Sequence, residues 1–261
     1  MKALLIFFLC LALYPAEERV QTDFLRVKEG ETASYLQTAI TPYQKGVQKV
    51  TLIGAVHLAD EGYYVDLNER FKSFDCILFE MIGGEKAAQM KPGLKPATGI
   101  ARMYQVLAAV LKLAEQRNIV DYSAKNFVHA DLTREEFEAL EKEKGESLLG
   151  FGMKGGNTKD PKFQKLMDAL LSGDANKVKL QLIGDLGKGD DQIDALAGKS
   201  VIIDNRNAKA LQVLQIALGK GHQNIGIFYG AAHFPDLEKS LREQGFQKGS
   251  QSWLDAWTVA K

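Results

Sequence analysis

Two of the four histidines in this 261-residue chain occupy the same place in a repeated stretch. Thr51-Leu52-Ile53-Gly54-Ala55-Val56-His57-Leu58-Ala59-Asp60 and Ile227-Phe228-Tyr229-Gly230-Ala231-Ala232-His233-Phe234-Pro235-Asp236 share one plan: an apolar run, Gly-Ala-x-His, an apolar residue, one more residue and Asp. A third group is Glu80, which interrupts the apolar run Asp75-Cys76-Ile77-Leu78-Phe79-Glu80-Met81-Ile82-Gly83-Gly84 near its end. An unpaired carboxylate buried there would cost several kcal/mol, so Glu80 must face a partner, water or a metal; on an edge strand it would simply face solvent. Imidazoles carry protons near neutral pH and, like carboxylates, ligate divalent ions, so these three side chains have the chemistry of acid-base or metal-assisted catalysis.

The elements around them decide whether they meet. Each apolar run has strand composition and ends in a glycine, which permits a sharp turn or a close backbone approach. Asp60 and Asp236 sit where helix N-caps are expected, so each His falls between the C-terminal end of a strand and a helix start. Open α/β sheets keep their ligands there. The helix over 60–74 carries Tyr63, Tyr64, Leu67 and Phe71 at helical spacing. Tyr64 either packs on the core or, with Tyr63, forms a ligand platform near His57. Strand–helix–strand connectivity makes the Glu80 strand parallel to the first, bringing His57 and Glu80 to one side. The two repeats lie too far apart for a solenoid period, which suggests strands that meet in space or related half-domains.

The 33 basic and 33 acidic residues cancel, which gives no electrostatic case for nucleic acid. Met1-Lys2 followed by the apolar run Ala3 to Tyr14 has the length of a signal peptide, below the ~20 residues of a membrane span. Residues 1–16 are therefore expected to be an export leader and 17–261 one α/β domain, in the periplasm or outside the cell. Tyr14-Pro15-Ala16 lacks the usual small residue ahead of the cleavage point, so an uncleaved anchor, with membrane contact, is the alternative. Cys76 is then the sole mature cysteine and no internal disulfide forms.

Elsewhere, residues 23–43 read as one or two edge strands with a hairpin at Glu29-Gly30-Glu31, 86–97 as a loop, and 97–118 as one long helix with Met103 and Tyr104 in its core face. A short strand and loop over 119–127 leads to His129 and Asp131, which precede the capping box Thr133-Arg134-Glu135-Glu136. They are either local loop and cap residues or part of the site. The glycine-rich stretch 145–161 reads as a flap; Gly150-Phe151-Gly152-Met153-Lys154-Gly155 matches the dinucleotide fingerprint by chance, since no strand precedes it and no helix opens on it. Short helices are expected over 163–171 and 175–183, turns over 184–190, a long helix to residue 219 carrying Asp204-Asn205-Arg206-Asn207, and a last strand containing Trp253 and Trp257.

The paired Gly-x-x-His stretches, Phe79-Glu80 and Arg206-Asn207 together resemble the ordered motifs of the TraB/PrgY/TIKI/GumN family, in the wider superfamily of erythromycin esterase and the ChaN-like haem-binding lipoproteins. The resemblance runs from Val50 to Leu241, except over 145–161. It implies a central mixed, partly parallel sheet with helices on both faces, and a site gathering His57, Glu80, Arg206 and His233, with Asn207, His129, Asp131 and Tyr64 as substrate-side candidates. His57, Glu80 and His233 would hold Zn, Mn or Co, polarising a peptide or ester carbonyl and activating water, while Arg206 holds a substrate carboxylate or the oxyanion. The esterase branch implies the same groups working without metal. Two further expectations come with the family: a PrgY-like protein that sequesters a peptide without cleaving it, and a ChaN-like haem protein with His or a tyrosine among Tyr63, Tyr64 and Tyr229 on iron.

Overall fold

The computed structural model describes residues 24–84, 99–144, 161–186 and 201–261. The expected leader, the 86–97 loop, the glycine-rich stretch over 145–160, the turns at 187–190, the side chains of Met103 and Tyr104 and the start of the long helix before residue 201 lie outside the described residues.

The four strands that carry the motifs form one parallel block. Strand β3 (Gln48–Ala55) pairs with β8 (Asn224–Gly230), β8 with β5 (Cys76–Phe79), and β5 with β7 (Phe127–His129), all parallel. The two repeated stretches are thus adjacent strands, in a register that sets Gly54 beside Tyr229 and Ala55 beside Gly230. Successive residues of a strand point to opposite faces, and nearly every residue of β3, β5 and β8 is buried. Both faces of the sheet are therefore covered, as the apolar runs suggested.

The antiparallel part is built on β2 (Ala33–Lys45), which takes β1 (Leu25–Glu29) and then β3 along one side, and β10 (Ser252–Ala260) and β9 (Gln247–Lys248) along the other. The hairpin at Glu29-Gly30-Glu31 forms as expected, but β2 is not an edge. Its 13 residues are long enough to accept two partners in succession on one side while the C-terminal strand covers the other.

Helix α1 (Glu61–Phe71) buries Tyr63, Tyr64, Leu67 and Phe71, the stripe read from the spacing. Asp60 holds the N-cap position, yet its carboxylate makes no cap; Oδ2 accepts from Thr258 N–H at 2.7 Å and fastens the helix start to β10. The single helix expected over 97–118 is broken. Helix α2 (Gly99–Leu111) stops where Lys112 turns left-handed with φ of 54°. The chain then forms β6 (Ala114–Glu115), paired with β4 (Leu58–Ala59), and the short α3 (Gln116–Ile119). This break lays Ala114, Glu115 and Gln116 against the turn that carries His57.

The capping box at Thr133 is formed in both directions, Glu136 N–H on Thr133 Oγ1 at 3.1 Å and Thr133 N–H on Glu136 Oε2 at 2.8 Å, opening α4 (Arg134–Lys144). Helices α5 (Pro161–Leu171), α6 (Ala175–Leu186) and α7 (Val201–Gly219) follow. Gly184 and Asp185, expected in a turn, belong instead to α6, which runs to Leu186. After β8, a 3-10 turn (Ala231–His233) leads into α8 (Phe234–Glu243), whose N-cap position is His233. Asp236 is therefore not a cap but lies in the first turn, since Pro235 starts a helix readily and brings its beginning forward.

Gly54, the glycine of the first repeat, is required by packing. A Cβ there would stand 3.1 Å from the Ala39 carbonyl oxygen and 3.2 Å from Thr38 Cβ, both on β2. Gly54→Ala is expected to cost about 1–3 kcal/mol as the β2 backbone is pushed away. Urea denaturation of the two proteins measures it, and an unchanged midpoint would show that β2 yields freely.

Candidate functional site

The C-terminal ends of the four parallel strands bring the expected residues to one place. Glu80 follows β5 directly, His129 ends β7, His57 is on the turn after β3, and Gly230 and His233 follow from β8. Arg206 and Asn207 come from α7, where Asn207, Ala210, Leu214 and Ala217 form a buried stripe at helical spacing. This stripe seats α7 against β5 and β8. Arg206 and Asn207 thus mark the polar end of a packed face, not a solvated patch.

Arg206 is the hub. Its Nε–H donates to Asp131 Oδ1 at 2.9 Å, and Nη2 donates both to Asp131 Oδ2 and to Glu80 Oε1 at 2.6 Å. The other oxygen of Glu80, Oε2, accepts from Gly230 N–H at 2.6 Å. That contact gives the second motif glycine its reason, because a Cβ on Gly230 would stand 3.3 Å from Glu80 Oε2. Burial alone would push the Glu80 carboxyl up. The Arg206 guanidinium, His233, His57 and the Gly230 N–H together outweigh it and hold Glu80 well below the usual carboxylate range. Burial likewise works against the Arg206 charge, and Glu80 and Asp131 keep it protonated.

His233 is 4% exposed. Its Nδ1 lies 2.7 Å from Asn207 Oδ1, which can only accept, so the proton sits on Nδ1 and the lone pair on Nε2. Nε2 stands 3.8 Å from Glu80 Oε1. Burial lowers the imidazole to about 4, with Arg206 reinforcing the shift and Glu80 opposing it. At neutral pH two lone-pair atoms therefore face each other across a gap wider than a hydrogen bond, a place for a proton-bearing or cationic group.

His57 is exposed, and its charge bears on both Glu80 and His233. The backbone of its turn is tied down carbonyl by carbonyl. Tyr63 Oη–H donates to Gly54 O at 2.7 Å, Tyr64 Oη–H to Val56 O at 2.7 Å and Gln116 N–H to His57 O at 3.0 Å. Tyr64, expected on the substrate side, is fully buried and offers no surface to a ligand; it braces the turn. Asp131 is also fully buried, with its carboxylate on Arg206. His129 is partly exposed, with Nε2 2.7 Å from Met81 O, at the edge of the group. Tyr229 donates its hydroxyl to Ala130 O, so each of the three tyrosines named as iron-ligand candidates has its hydroxyl on a backbone carbonyl.

Reading the sequence missed Gln116, whose N–H holds the His57 turn, and the Gly230 N–H that fixes Glu80. Neither has a side-chain signal, since both act through the backbone. Comparison of the chain with known protein families, curated proteins and solved structures finds no match.

One consequence is a pH dependence of stability. His233 has an ordinary value of 6.5 and a folded value of about 4, so between these the unfolded chain binds the proton more readily. The stabilisation is complete above about pH 6.5 and is lost as pH falls towards 4. Between pH 7 and pH 5 the protein is expected to lose about 2 kcal/mol through this residue. Denaturation of the parent and of His233→Gln at both pH values checks it; equal losses in the two proteins would assign the slope elsewhere.

Proposed function

We propose that this protein is a hydrolase of the TraB/PrgY/TIKI/GumN kind, cleaving a peptide or ester bond between Glu80 and His233 with Arg206 and His57 at the margins. The observation that carries the reading is the His233 arrangement. A buried imidazole, with Nδ1–H fixed on Asn207 and its Nε2 lone pair aimed across 3.8 Å at an ionised carboxylate, stands at the C-terminal ends of parallel strands.

The donors suit a divalent ion in kind: an ionised Glu80, a neutral His233 backed through its other nitrogen, and His57 beside them. Among the described residues no three such side chains are gathered closely enough to form a ready metal cage, so His57 would have to close on the other two. Zn, Mn or Co held by His57, Glu80 and His233 would supply Lewis acidity and a more acidic water. With an ion there, the Nε2 lone pair of His233 would be its ligand and no proton acceptor. In the metal-free form His233 Nε2 accepts a proton from a water or hydroxyl beside it, and Glu80 orients that group and stabilises the imidazolium that results; in both, Arg206 faces negative charge developing on the substrate oxygen.

Elemental analysis of the full chain, purified without added metal and compared with His57→Ala/His233→Ala, tests the metal. Near-stoichiometric Mn, Co or Zn in the parent, lost from a folded double variant, supports a metallohydrolase. Absence of metal after dialysis against each ion leaves the metal-free His–Glu hydrolase. Peptides bound but never cleaved by the parent would overturn hydrolysis in favour of sequestration, and a Soret band in favour of haem.

A further inference from the structure

The guanidinium of Arg206 is a planar fork of five N–H donors, and the structure uses three of them. Asp131 takes the side edge, Nε and one N–H of Nη2, in the paired geometry that fixes both position and rotation. Glu80 Oε1 takes the outer N–H of Nη2. Because the group is planar, the neighbouring N–H of Nη1 runs parallel to that bond and points to the same side. Among the described residues Nη1 has no hydrogen-bond partner, and it is not among the side-chain atoms sealed from solvent. Two donors of the fork, both on Nη1, are thus left over, and one of them lies beside the carboxylate that faces His233.

Asp131 itself is beyond a ligand's reach. It is 0% exposed, and besides Arg206 its Oδ1 accepts only the N–H of Leu132, at 2.8 Å. Glu80 holds the fork by one contact and Asp131 by two, so the orientation of the fork is decided by Asp131. We infer that Asp131 is a positioning residue: it locks the Arg206 guanidinium so that Nη1 presents its free N–H beside Glu80, as the donor for a substrate oxygen. The locking stands on the geometry alone; the role of Nη1 rests on the hydrolase reading.

The full chain labelled with 15N-arginine separates the two parts. Arg206 is assigned by the signal lost in Arg206→Lys. In the parent, rotation about the Nε–Cζ bond is slow and the two Nη groups resolve at low temperature. Glu80→Gln keeps them resolved, whereas Asp131→Asn, which preserves volume and the acceptor for Leu132 N–H, merges them. Averaged signals in the parent, or merging in Glu80→Gln, would overturn the assignment to Asp131, and these two measurements decide it even where Asp131→Asn fails to fold. With 4-nitrophenyl acetate as the probe, Asp131→Asn lowers kcat by about 10- to 100-fold with little change in KM, and Asp131→Glu recovers part of it. An unchanged kcat overturns the role given to Nη1. No turnover by the parent means that the hydrolase reading has failed on this probe, and the locking is still decided by the labelled arginine.

Discussion

Replacing Arg206 by Met is expected to lower the unfolding free energy by about 3–5 kcal/mol at pH 7, far more than its length of apolar chain would cost. The reason is what it leaves behind. Asp131 is fully buried and Glu80 nearly so, and both give oxygens to the one guanidinium. Without it, two carboxylates are left close together in a largely buried space, with one N–H from Gly230 and one from Leu132 as remaining donors. Removing the whole set costs much less than removing the cation alone, so Arg206→Met combined with Asp131→Asn and Glu80→Gln should recover most of the loss.

The sign of the pH effect distinguishes this from a packing defect. In the parent, Glu80 is held below its ordinary value of 4.5, so its contribution is complete above that pH and is lost as pH falls through the lower folded value. In Arg206→Met burial dominates and raises the Glu80 carboxyl, so the variant binds a proton on folding and regains stability as pH falls. The deficit of the variant therefore narrows between pH 7 and pH 4. Urea denaturation at both pH values decides the matter; a constant deficit would mean that Arg206 stabilises by packing its stem.

Three strands of the parallel block, β3, β5 and β8, were legible because they announce themselves: continuous apolar runs, each ending at a Gly or Glu, with a helix between the first two; β7, three residues ending in His129, carries no such signal. The likeness of the repeats allowed strands that meet in space or related half-domains, and the structure makes them adjacent strands; Glu80 was marked by its cost within an apolar run. Asn207 and Arg206 were harder to read. A helix carrying Asp204-Asn205-Arg206-Asn207 has the composition of a solvated surface, and only the family resemblance singled the pair out. The break at Lys112 could not be read, because Lys is an ordinary helix former and its left-handed backbone is imposed by the pairing of β6 with β4. Tyr64 was ambiguous for another reason: helical spacing shows which face a tyrosine occupies but not where its hydroxyl ends. Here it ends on the Val56 carbonyl, supporting the His57 turn from beneath.

His233→Ala is expected to reduce turnover by about 10²- to 10⁴-fold while leaving the fold intact, the effect of removing a group that moves a proton at the reacting centre. The ring is held on one side by Asn207 and packs edge-on to Tyr229, at 5.2 Å between centroids, so its Nε2 has little freedom to aim anywhere but towards Glu80. Asn207→Leu offers the complementary case. It removes the acceptor that keeps the proton on Nδ1, so the imidazole is free to place its proton on Nε2, where the lone pair is needed. Turnover should then fall with His233 still present. If His233 acts only by filling space, Asn207→Leu would spare turnover and His233→Gln would restore it. Steady-state kinetics of the three variants on one ester or peptide probe, with thermal unfolding to confirm the fold, separates a proton-carrying imidazole from a packed one.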